Sequence, residues 1–164
     1  MTKLIFYISL LLIVSKPSLS EVRKLYTKVS DSKEVAKEFY QKLENIKKSD
    51  DATLVGYKAA SLTVKAKHEK KIKDKKTYFK EGALLLEYII EKKPNNIELR
   101  LIRLSIQENA PKILKYKMNI DEDKMFIYNQ LPHIKNKGLK DHIKGYVSKS
   151  KAFTTQEKTV ISKL

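Results

Sequence analysis

The chain has 164 residues and is strongly basic, with 35 lysines and arginines against 19 acidic residues, a formal net charge of +16. It contains no cysteine, which excludes disulfides, thiolate metal sites and a cysteine-linked lipid anchor. Apolar residues at 41% and charged residues at 33% give the balance of a chain that folds around a core rather than one that stays disordered.

The first segment has three parts. Met1 to Lys3 carries positive charge, Leu4 to Val14 is an almost unbroken apolar run, and Ser15 to Ser20 is short, polar and broken by Pro17. This is the layout of a secretory signal peptide, with Ser18 and Ser20 as the small residues near the cut. The apolar run is too short to span a bilayer, which takes about 20 residues. The expected organisation is therefore a signal peptide at 1–20 and a single helical domain at 21–164, exported to the periplasm or the exterior. No transmembrane segment is expected after cleavage; the alternative is a leader retained as an anchor. Removing 20 of the 164 residues leaves 144, the usual size of one domain, and the charge falls from +16 to +14 with the loss of Lys3 and Lys16.

The rest of the chain has helical apolar spacing nearly throughout, with only four glycines and four prolines. Asp31 and Glu34 match a capping box that opens a first helix to about Lys48, with Val35, Phe39, Leu43 and Ile46 on one face. The Ser49-Asp50-Asp51 cluster starts a second helix to about Lys67, striped by Val55, Ala59, Leu62 and Ala66. Gly56, Ala59 and Ala60 keep that helix slim enough for a close neighbour. A lysine-rich connector from Lys65 to Lys76 follows, then a third helix from about Tyr78 to Glu91, stopped by Pro94. A fourth runs from about Asn96 to Asn109, and a less regular piece covers Lys112 to Asn119. Asp121 caps a fifth helix to Leu131, and Leu139, Ile143, Tyr146 and Val147 mark a sixth. Thr154 with Glu157 gives another capping box, for a last short helix. The fold expected is all-α: one domain of about six or seven helices, stacked as helical hairpins in a solenoid-like or irregular bundle.

The fourth helix carries two apolar stripes. Ile97, Leu101 and Leu104 fall on one side, and Leu99, Ile102 and Ile106 on the opposite side. Such a helix should lie between two layers of others. A polar seam of Arg100, Arg103 and Gln107 runs between the stripes, and it holds two of the chain's three arginines. Where lysine is so abundant, arginine points to a bidentate grip on a carboxylate or an external anion. Glu108, projecting on the Leu101–Leu104 face, is the candidate partner.

Tyr78 to Asn109 resembles a tetratricopeptide-type helical hairpin. Ala83, Leu86 and Ile90 sit in one helix, and Lys93-Pro94-Asn95-Asn96 turns into the next. It departs from that family at Arg100, where a large aromatic is expected, at Leu104, where a small residue is expected, and in lacking a second copy at the 34-residue spacing. Gly56-Tyr57-Lys58-Ala59-Ala60, the string from Glu98 to Asn109 and the following Ala110-Pro111-Lys112 carry a second resemblance. It is to a group of uncharacterised exported helical proteins of Bacteroidetes-type bacteria. That resemblance spans about residues 35–150 and implies an envelope location and one helical domain; it brings no activity with it.

No catalytic, cofactor or metal set is expected. His68, His133 and His142 lack the spacing of a ligand pair and read as solvated surface residues. Asp121, Glu122 and Asp123 suit a helix N-terminus, and no phosphate loop, nucleophile elbow or HExxH helix is present. Lys65, Lys67, Lys70, Lys71, Lys73, Lys75 and Lys76 form the strongest basic patch. A solvated connector and contact with an anionic envelope surface both account for the patch, as an AT-rich coding bias and a polyanionic partner both account for the lysine excess of the whole chain. The expectation is a non-enzymatic exported protein that binds another protein or serves the envelope structurally, centred on the arginine seam. The alternative is a basic protein that binds a polyanion or a membrane surface; export disfavours nucleic acid as that partner.

Overall fold

Residues 16–164 are described by the computed structural model, and they form eight α-helices and two 3-10 turns with no strand. The helices are α1 (Leu19–Tyr26), α2 (Lys33–Leu43), α3 (Ala52–His68), α4 (Ile72–Lys92), α5 (Ile97–Asn109), α6 (Ile120–Gln130), α7 (Lys137–Lys149) and α8 (Thr155–Ser162). The 3-10 turns cover Lys112–Leu114 and Leu131–His133. The all-α expectation holds. No helix among the described residues is long and apolar enough to cross a membrane.

Local chemistry explains most boundaries. Asp51 accepts from the amides of Thr53 and Leu54 to open α3, and Asn96 accepts from Glu98 and Leu99 to open α5. Thr154 and Glu157 close a reciprocal capping box on α8. The cap of α2 is Ser32, which accepts from the Val35 amide, rather than the expected Asp31. Asn119 precedes α6 without capping it, because its side chain is engaged by Gln107 and Glu122 instead.

The expected connector also needs correction. The Lys65–Lys76 connector is mostly helix: α3 runs to His68, α4 begins at Ile72, and only Glu69 to Lys71 link them. Charge does not break a helix; lysine has good helix propensity, and this stretch holds no glycine or proline. A helix the spacing does not predict, α1, begins before Glu21. Ser18 caps it, accepting from the Glu21 amide while the Glu21 carboxylate accepts from the Ser18 amide. The expected cut after Ser20 therefore falls within the first turn of a capped helix. Residues 1–15, which carry the rest of the expected leader, lie outside the described residues.

Two hydrophobic clusters share α5. The first gathers Val22, Phe39, Leu43, Tyr57 and Leu86 from α1 to α4 around Leu99, Ile102 and Ile106. The second gathers Ile127, Leu131, Ile143, Val147, Phe153 and Ile161 around Ile97, Leu101 and Leu104. Each of the two stripes of α5 faces its own core, as the spacing predicts. Burying such a side chain stabilises by about 1.5–3 kcal/mol, so α5 is the element on which both halves depend. Two glycines set the helix approaches on the first side. A Cβ at Gly82 of α4 would stand 2.6 Å from the Ala59 carbonyl oxygen of α3, and one at Gly56 would stand 2.4 Å from Leu99 Cδ2.

Candidate functional site

The polar residues of α5 form three networks. In the seam, Arg103 makes a two-point grip on Asp123: Nε donates to Oδ2 at 2.7 Å and Nη2 to Oδ1 at 2.7 Å. Its Nη1 donates to Glu87 Oε2 at 2.8 Å. Arg100 donates from Nη1 to Glu122 at 2.6 Å and to Asp123 at 3.1 Å, and its guanidinium lies over the Phe126 ring. Tyr116 donates to the other oxygen of Glu87 at 2.5 Å. Arg103 is 4% exposed and Asp123 fully buried. Burial opposes the charge on Arg103, yet hydrogen bonds to Asp123 and Glu87 outweigh it and raise its pKa above the ordinary arginine value. Gln107 completes the seam, donating to the Asn119 side chain and accepting from its amide.

A second network occupies the other flank. Arg23 of α1 grips buried Glu98 with two bonds of 2.7 Å, from Nε and Nη2. Tyr57 of α3 donates to Glu98 Oε1 at 2.6 Å. The Tyr57 oxygen lies 3.1 Å from His142 Nε2; since its proton goes to Glu98, His142 must donate, which assigns it the Nε2–H tautomer. Burial lowers the His142 pKa and raises that of Tyr57. The network joins α1, α3, α5 and α7.

Glu108 does not pair with the arginines. Its carboxylate accepts from the amides of Lys151 and Ala152 at 2.8 and 2.9 Å, from Ser150 Oγ at 2.8 Å, and from the Tyr146 hydroxyl. It lies about 100° round the helix from Gln107, so it serves the α7–α8 connection instead. The arginines find their carboxylates on α4 and α6. All three guanidinium nitrogens of Arg103 and the Nη1 of Arg100 are engaged by Asp123, Glu122 and Glu87, and the Nε of Arg100 donates to the Pro94 carbonyl at 3.2 Å.

No family model, curated protein or solved structure matches this chain.

Outside the networks, two clefts open on the surface. One of about 490 Å³ between α7 and α8 is lined by Lys144, Ser148, Thr155 and Lys158 among others. One of about 570 Å³ lies between residues 44–48 and α4, with Glu44, Lys48, Glu81 and Leu84 in its wall. Neither includes a seam residue. The basic patch is placed at the α3–α4 turn. Lys67, Lys70, Lys71, Lys73, Lys75 and Lys76 are exposed, while Lys65 is half-buried with its ammonium over the rings of Tyr40 at 4.0 Å and Tyr78 at 4.2 Å.

Of the histidines, His133 is exposed as expected, but His142 belongs to the second network and His68 Nε2 is buried without a partner. Sequence reasoning missed Asp123, Glu87, Glu98, Arg23 and Tyr57. For Asp123 a signal existed. Ile120, Asp123, Ile127 and Leu131 follow a core stripe, and a carboxylate on such a stripe requires a buried cation.

Proposed function

We propose that this is an exported, non-enzymatic helical protein whose exposed lysines bind an anionic surface of the cell envelope. The observation that carries this reading is the division of labour among the cations. Arg23, Arg100 and Arg103 are each locked into ion pairs inside the fold. Among the described residues, the lysines in ion pairs are Lys16, Lys42, Lys124 and Lys137 alone. The exposed patch lysines from Lys67 to Lys76 lie outside that set, so their charge is available to a partner, while the Lys65 ammonium is held over Tyr40 and Tyr78. Each lysine held near an anionic membrane surface contributes about 1 kcal/mol. The exposed lysines are favoured over the seam as the contact surface because Arg103, Gln107 and Glu108 spend their hydrogen-bonding groups within the molecule and Arg100 spends its Nε and Nη1 there. Export rests on the leader sequence, and the reading as a non-enzyme on the engagement of the buried acids, tyrosines and His142 with one another.

Salt tests it. Binding of the purified protein to soluble polyphosphate and to phosphatidylglycerol vesicles should fall by ~100-fold or more between ~50 and ~300 mM NaCl. Affinity that holds across that range, or no binding to either probe at low salt, would overturn the proposal.

A further inference from the structure

We infer that the anionic surface is a lipid bilayer, and that the protein docks on it through two apolar tips set among lysines. The tips are Ile72 at the α3–α4 turn, and Ile113 with Met118 in the loop between α5 and α6. The inference rests on the electrostatic reading above and adds the partner and the contact residues.

Ile72 is 71% exposed, and Ile113 and Met118 are 86% exposed. A single exposed apolar side chain is ordinary. These three differ in their surroundings. Ile72 stands between Lys70, Lys71 and Lys73, all exposed. Ile113 stands between Lys112 and Lys115, and residues 110–118 contain three lysines and no acid. An apolar tip ringed by cations matches the interface of an anionic bilayer, where the side chain enters the acyl boundary and the ammonium groups meet headgroup phosphates. A soluble polyanion rewards the lysines but offers nothing to isoleucine or methionine.

The fold ties the tips together. Ile72 and Phe79 are seven residues apart on α4, so they share one helix face at about 10 Å separation. Phe79 packs edge-on against Tyr116 at 5.8 Å, and the Tyr116 hydroxyl is held by Glu87 further along α4. The 112–118 loop is thus pinned to the face that Ile72 continues beyond the end of α3. The loop also contains Lys115 at φ 50°, the one non-glycine residue with positive φ among the described residues. That left-handed conformation is unfavourable for a lysine, whose Cβ crowds the following carbonyl. Tyr116 on α4 and Lys117 Nζ on the Glu108 carbonyl at 3.2 Å hold the loop in it, with Ile113 and Met118 out in solvent.

The test compares the protein with an Ile72→Ser/Ile113→Ser/Met118→Ser variant on three probes: phosphatidylcholine vesicles, the same vesicles with ~30% phosphatidylglycerol, and soluble polyphosphate. The variant should keep its melting temperature and its polyphosphate affinity while losing ~10-fold or more in partition onto the anionic vesicles. Leu84→Ser, an exposed leucine in a cleft that mixes the acids Glu44 and Glu81 with Lys47, Lys48 and Lys58, should change neither. Since the chain has no tryptophan, Ile113→Trp supplies a single reporter, whose emission should shift to the blue on anionic vesicles and stay unshifted with polyphosphate. Wild-type vesicle binding by the triple variant, or an unshifted reporter on bound vesicles, overturns the lipid tips while leaving the electrostatic reading intact. Failure to bind either anionic probe overturns both.

Discussion

Replacing Asp123 by alanine is expected to destabilise the protein by about 3–5 kcal/mol, the cost of breaking a buried ion pair from one side. The carboxylate is fully buried and accepts two bonds from Arg103 and one from Arg100. Its removal leaves the Arg103 guanidinium in the protein interior with only Glu87 and Glu122 near it, at 2.8 and 3.6 Å. It also weakens the polar tie between α5 and α6, across which the second core is assembled, leaving only the pairs to the half-exposed Glu122. Urea unfolding followed by helical signal reads the effect. Asp123→Asn keeps the shape with half the acceptors and should lose less, so the comparison remains useful if the alanine variant does not fold. An unchanged midpoint in both would remove the structural role of the seam.

The second large effect is expected at Glu98. Glu98→Ala should cost about 3 kcal/mol, because it orphans Arg23 and Tyr57 together in a buried site. Its signature should differ from that of Asp123. Arg23 lies on α1, an eight-residue helix too short to persist without its docking contacts. Amides of α1 should therefore exchange with solvent much faster in the Glu98 variant, while those of α6 keep their protection. Uniform acceleration across all helices would show that Glu98 does not act through α1.

These two carboxylates also show what the sequence could and could not reveal. The position of α5 was legible, because six aliphatic residues at helical spacing define two opposed faces whatever surrounds them. The partners of its polar residues were not. Glu98 meets Arg23 across 75 positions and Tyr57 across 41, and no local pattern encodes such a meeting. Asp123 was half legible: it sits on the apolar stripe of α6, but the acidic run from Asp121 disguised it as an ordinary helix start. Glu108 lies on the Leu101–Leu104 face, as the spacing predicts, but that face turns to the α7–α8 connection and not to the arginines. The helix α1 was not legible, since Ser18, the cap of α1, also fits the end of the expected leader. The lysine run between α3 and α4 looks like a connector by its charge, but lysine's good helix propensity keeps all but three residues of it helical.

Arginine and lysine have separate work in this protein. The three arginines are used where a planar fork is needed inside the fold, and lysine covers the outside. That separation makes the central claim directly measurable. Two variants suffice: Arg103→Lys, and a combined Lys70→Gln/Lys71→Gln/Lys73→Gln/Lys75→Gln/Lys76→Gln. Co-sedimentation with phosphatidylglycerol-containing vesicles at low salt should leave Arg103→Lys bound like the parent protein, although its melting temperature falls, and should release the lysine variant at unchanged melting temperature. The reverse pattern, with binding lost in Arg103→Lys and kept in the lysine variant, would place the anion site at the seam and contradict the account.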